Sequence, residues 1–137
     1  MSDQKKKKAN GKAGKPTVEK HERSVLFLLP EKVTAAELAG ELTFLDRKQI
    51  EVWTDVNILE LTFENGTLTF EDIMQDLGAG DEALLSSIGK KQVYACDYLE
   101  EDREMVKKVM KILIEKYLGV IASDTEDFQP YLSLEDL

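Results

Sequence analysis

The chain predicts an α+β fold: a single small domain with a mixed, mostly antiparallel sheet, helices on one face and a C-terminal strand-helix-strand unit. Three observations lead there. Residues 49–54 and 56–63 alternate apolar with polar and run into Asn65-Gly66, the chemistry of a tight hairpin turn. Residues 100–118 place Val106, Val109, Met110, Leu113, Tyr117 and Leu118 at helical spacing, so they share one stripe. Two short apolar runs, 91–97 and 120–123, flank that stripe. At 137 residues and 42% hydrophobic content, one core in one domain is expected.

In chain order, residues 1–22 hold lysines, Gly11, Gly14 and Pro16 and little to bury, a composition that predicts disorder. Residues 24–29 are apolar and end at Pro30, which predicts a strand. Thr34 and Glu37 form a capping-box pattern, and a helix is expected to run to about Leu45, weakened by Gly40. Residues 49–63 then read as one long strand, or two broken near Asp55, and residues 67–70 as the return strand. Residues 71–77 suggest a short helix, stopped by Gly78-Ala79-Gly80. A second short helix is expected from a cap at Asp81 to about Ile88, ended by Gly89. After the strand at 91–97 comes the long helix over 100–118, with Gly119 at the glycine stop. A last strand follows at 120–123. Phe128, Tyr131, Leu132, Leu134 and Leu137 are expected to strap along the body. If the strands flanking the long helix share a sheet, they should be parallel.

Charge divides the chain at the same place. Residues 1–23 carry a net +5 and residues 24–137 a net −14. The division is read as a lysine-rich tail (1–23) and an acidic domain (24–137). An acidic domain repels nucleic acid and acidic membranes and attracts basic surfaces. Only the tail, through Lys5, Lys6, Lys7 and Lys8, is suited to non-specific polyanion contact.

Several chemistries drop out. His21 is the only histidine and lies in the lysine-rich lead, so the domain has no Ser-His-Asp triad and no Cys-His pair. One cysteine, Cys96, supports neither a disulfide framework nor a cysteine zinc site. No phosphate-cradling glycine motif occurs. No apolar run is long enough for a membrane span and no secretory signal is evident, so the chain reads as cytoplasmic.

Two acidic groupings remain as candidate sites. Asp97 and Asp124 end expected strands, with Asp127 nearby. On parallel neighbours, their carboxylates would meet at one sheet edge and offer oxygen ligands to Mg²⁺. The same aspartates equally suit helix and turn caps. Glu100, Glu101, Asp102 and Glu104 crowd the start of the long helix. They suit docking to a basic surface, and also the helix dipole alone. Three functions follow, in order. The first is a non-enzymatic interaction module, an adaptor or inhibitor that needs no cofactor, whose acidic body binds a basic protein surface. The second is a Mg-dependent phosphate-ester enzyme on the strand-end carboxylates. The third is an accessory protein tethered to a polyanion by its tail.

Overall fold

A computed structural model describes residues 20–137; the segment expected to be a disordered tail lies, up to residue 19, outside the described residues. The described chain forms one seven-stranded sheet and three α-helices, in the α+β class. In chain order the main elements are β1 (Glu22–Leu29), α1 (Ala35–Gly40), β2 (Ile50–Trp53), β3 (Ile58–Thr62), β4 (Thr67–Asp72) and α2 (Ala79–Ser87). They continue with β5 (Gln92–Leu99), α3 (Arg103–Tyr117), β6 (Val120–Ser123) and β7 (Tyr131–Leu132). Spatial order is β2-β3-β4-β5-β1-β6-β7, and every pairing is antiparallel.

β1 is the central feature. Val25 to Leu29 are buried without interruption, so both faces of this strand are covered, as a continuous apolar run implies. It pairs with β5 on one side and β6 on the other. β5 and β6 therefore run parallel, as expected, but they are not neighbours. The first strand of the chain separates them.

The alternation of side chains sorts the sheet into two faces. On the first, Val25, Phe27, Leu59, Leu61, Leu68, Phe70, Tyr94 and Cys96 join Leu38 of α1 and Val106, Val109, Met110 and Leu113 of α3 in the main core. Phe70 stacks edge-on against Phe27 and Tyr94 at centroid distances of 6.2 and 6.3 Å, a favoured aromatic geometry. On the second face, Leu26, Leu28, Val93 and Ala122 pack with Leu85 of α2 and with Phe128. The two helices of the main core share one face, as expected, while the short α2 lies on the other.

Several boundaries differ from the sequence reading, each for a local reason. Glu22 and Arg23, counted with the tail, are the first two residues of β1 and pair with Leu99 and Tyr98. The Thr34 capping box forms, with the Glu37 N–H donating to Thr34 Oγ1 at 3.1 Å and the Thr34 N–H to Glu37 Oε1 at 2.9 Å. The helix nevertheless ends at Gly40, a residue with a high helix cost. Leu42 and Leu45 continue into the core through single turns. Residues 71 and 72 complete β4, and only Met74–Asp76 coil, as a 3-10 turn. Ala79 and Gly80 lie inside α2. Asp81 sits one turn in and accepts the Gly78 N–H at 3.2 Å rather than occupying the cap itself. Glu100–Asp102 form a 3-10 turn ahead of α3. The left-handed stop of α3 falls on Leu118 (φ 59°), one residue before Gly119.

The apolar C-terminal residues do strap the body. β7 pairs with β6 at the sheet edge, and Leu137 is buried in the main core. Among the described residues, no helix is long and apolar enough to cross a membrane.

Candidate functional site

α2 and Phe128 cover only part of the second face. Among the described residues nothing covers the rest, and its side chains come from five strands. They are Glu22 and Ser24 of β1, Glu51 and Trp53 of β2, Ile58, Glu60 and Thr62 of β3, Thr67, Thr69 and Glu71 of β4, and Asp97 of β5. The register stacks them in rows. Glu51 stands opposite Glu60, Glu60 opposite Thr69, Thr69 opposite Asp97, and Asp97 opposite Ser24. Five of these residues are acids, and none is Lys or Arg. None of the five acids pairs with a described Lys or Arg. Like charges directly opposite across strands repel, and no described Lys or Arg compensates the Glu51–Glu60 row. A shallow hollow of 480 Å³ opens on this face between Glu22, Gly66, Thr67, Thr69 and Asp97.

The sequence-predicted sites fall elsewhere or take other roles. Asp97 lies within β5 rather than at its end, and its carboxylate accepts the Ser24 hydroxyl across the β1–β5 pair. Asp124 follows β6. Because β1 stands between β5 and β6, the two aspartates are two strand spacings apart, roughly 10 Å. The expected meeting of their carboxylates on neighbouring strands does not occur. Asp127 Oδ1 accepts the Thr125 hydroxyl at 3.0 Å and the Gln129 N–H at 3.1 Å, which shapes the loop before β7. Among the described residues, no group of three or more His, Cys, Asp or Glu gathers with metal-holding geometry.

The acidic start of α3 is largely engaged within the chain. Glu100 lies 3.8 Å from Arg23 and 3.9 Å from Arg103. Glu101 accepts the His21 N–H at 3.2 Å and faces His21 Nδ1 at 3.0 Å; these bonds hold its carboxyl below the usual range. Asp102 is buried and bonded to Asn65. Only Glu104 reaches well into solvent, near Arg103 and Lys107. Lys5, Lys6, Lys7 and Lys8 lie outside the described residues.

Cys96 is buried, and burial together with neighbouring Asp97 pushes its thiol well up. A protonated thiol is a poor nucleophile. Tyr94 is also pushed up, mainly by burial. Its hydroxyl donates to the Val33 carbonyl and accepts from Asn57 Nδ2 at 3.0 Å. Asn57 also donates to Asp72 Oδ2 at 2.8 Å and accepts the Ala35 N–H at 2.7 Å. These polar groups brace the β2–β3 turn against α1.

Sequence reasoning missed the open face because its acids are scattered. Their common signal is the period-2 outward position in each strand, visible in Glu51, Glu60 and Glu71. Which outward positions stay uncovered depends on where α2 packs. No protein-family model, no curated protein and no solved structure matches the chain.

Proposed function

We propose that the protein is a non-enzymatic interaction module, an adaptor or inhibitor, whose acidic open sheet face binds a basic surface on another protein. One observation carries this reading: five acids from five strands share a face that no other described residues cover and whose strand positions include no Lys or Arg. A preformed sheet presents these charges with little ordering cost on binding. Their shared sign raises the encounter rate with a basic partner and disfavours acidic ones. The acids at the start of α3 contribute less, because each already has a partner within the chain.

The test is binding of a fluorescently labelled lysine-rich peptide, with an acidic peptide as control, at several salt concentrations. Reversing Glu60 and Glu71 to Lys is expected to weaken binding. Reversing Glu115, an exposed residue on α3 across the molecule, is expected to have little effect. Binding should fall as salt rises, since screening acts within ~10 Å at 0.1 M. Equal losses in the two variants would remove the sheet face from the reading.

A further inference from the structure

We propose that the edge of this face, strand β2, receives an extended segment of the partner as an eighth strand, and that this segment carries Lys or Arg at every second position. The inference rests on the acidic-face reading and adds how, and to what sequence pattern, that face binds. β2 has β3 on one side and no strand on the other among the described residues. Its outer backbone groups are therefore a template for strand addition. Natural edge strands often block such addition with lysine, proline, a bulge or a very short length. Ile50–Trp53 contains neither lysine nor proline, and its four residues pair with β3 in unbroken register.

The side chains beside that edge specify the occupant. On the open face β2 shows Glu51 and Trp53, with Glu60 directly behind Glu51 and Ile58 behind Trp53. A cation on an added strand would stand in the Glu51–Glu60 row and turn its repulsion into attraction. Two residues further along the same strand, a second cation would meet the Trp53 ring, which is 39% exposed. Cations favour the face of an indole. On the opposite face β2 turns Ile50 and Val52 toward the main core, both half-buried. The intervening positions of the added strand would therefore be apolar. The pattern is basic-apolar-basic, with a strand's period of two.

This pattern also separates the candidate occupants. Lys5, Lys6, Lys7 and Lys8 are consecutive, so a strand formed from them would turn only alternate lysines toward the acidic row. A second copy of β2 would bring another strongly acidic domain alongside and a second Glu51 into the row. A separate partner segment of alternating pattern satisfies both faces.

Trp53 is the only tryptophan in the chain, so its fluorescence reports on this edge. The full-length protein would be titrated with a peptide of ~7 residues alternating lysine with valine, about the length of a strand. Peptide anisotropy would be followed alongside Trp53 emission. The expected result is saturable binding with a matching change in Trp53 emission. Methylating alternate backbone nitrogens of the peptide should abolish it. Glu51→Lys should weaken it roughly tenfold. That substitution replaces a like-charge cross-strand pair with an opposite-charge one, so it leaves the fold at least as stable. Binding without a Trp53 response, or unaffected by N-methylation, would overturn strand addition while leaving the acidic face as the binding surface. No binding by either readout would overturn both. A Trp53 shift that depends on protein concentration without peptide would assign the edge to a second copy.

Discussion

Asp102 Oδ1 accepts two hydrogen bonds from one residue, the Asn65 N–H at 3.0 Å and Asn65 Nδ2 at 2.9 Å. The two residues belong to elements far apart in sequence. Asn65 makes the turn between β3 and β4, and Asp102 closes the 3-10 turn that opens α3. A carboxylate that reads as a charged helix start is therefore a fastener between the hairpin and the main-core helix. Asp102 is only 5% exposed, so its removal leaves the Asn65 N–H without its partner and Asn65 Nδ2 with only the long bond to the Glu101 carbonyl at 3.4 Å. Asp102→Ala is expected to destabilise the fold by about 2 kcal/mol. Urea unfolding checks this. In a double-mutant cycle with Asn65→Ala the losses should be far from additive; additive losses would mean that the two residues act independently.

The end of α3 separates two roles that glycine often plays together. Leu118 holds the left-handed conformation, with φ 59°, and is 73% exposed. Gly119 needs its missing side chain instead: an added Cβ would lie 2.5 Å from Phe27 Cε1 and 2.8 Å from Cζ. Leu118→Gly is expected to stabilise the protein by up to about 1 kcal/mol by relieving the left-handed strain. Gly119→Ala is expected to cost about 1–3 kcal/mol by overpacking against Phe27. Thermal melts of the two variants should shift in opposite directions, and a shared direction would contradict this division.

What was legible follows from range. The Asn65-Gly66 hairpin, the Thr34 capping box and the Val106–Leu113 stripe rest on neighbours within a few residues, so the sequence states them directly. The apolar run ending at Pro30 marked β1 as a strand, but its burial on both faces and its neighbours are set by pairings across the whole chain. Those pairings put β1 between β5 and β6 and separated Asp97 from Asp124. α2 offers Leu84 and Leu85, with Ile88 capping its end, and little else to mark its packing face. Its position on the second face, which decides how much of the acidic surface stays open, was therefore not readable. The acids at the start of α3 were visible as a cluster, while their partners Asn65, His21 and Arg23 came from remote segments.

Alkaline stability should be limited by buried hydroxyl and thiol groups. Burial raises Tyr94 and Cys96 in the folded chain, while the unfolded chain releases these protons near pH ~10 and ~8.5. With the folded value above the unfolded one, the contribution is complete below the unfolded value and is lost as pH rises toward the folded one. Stability is therefore expected to fall from about pH 8.5 upward, more steeply beyond 10. Tyr94→Phe should cost about 1–2 kcal/mol at neutral pH by removing the bonds to Val33 and Asn57. It should also flatten the slope above pH ~10. Urea midpoints across this range measure both effects, and an unchanged slope would exclude Tyr94 as a source.

The start of the folded unit gives the last prediction. Lys20 Nζ donates to the Asn65 carbonyl at 2.8 Å, and the Glu100 N–H donates to the His21 carbonyl at 2.7 Å. Glu22 and Arg23 extend the β1–β5 ladder, and Arg23 Nη2 donates to the Asp136 carbonyl at 3.2 Å. These four residues thus tie β1 to the hairpin turn, the start of α3 and the C-terminal strap. A chain beginning at Ser24, the boundary that charge alone suggests, loses all of these bonds. At ~1 kcal/mol net for each hydrogen bond, with part of the sum lost to fraying, the cost is about 2 kcal/mol or more. A chain beginning at Lys20 keeps them. The shorter chain is expected to melt roughly 10 °C below the longer one. Equal melting temperatures would mean that these contacts stabilise nothing and that the folded unit begins at Ser24.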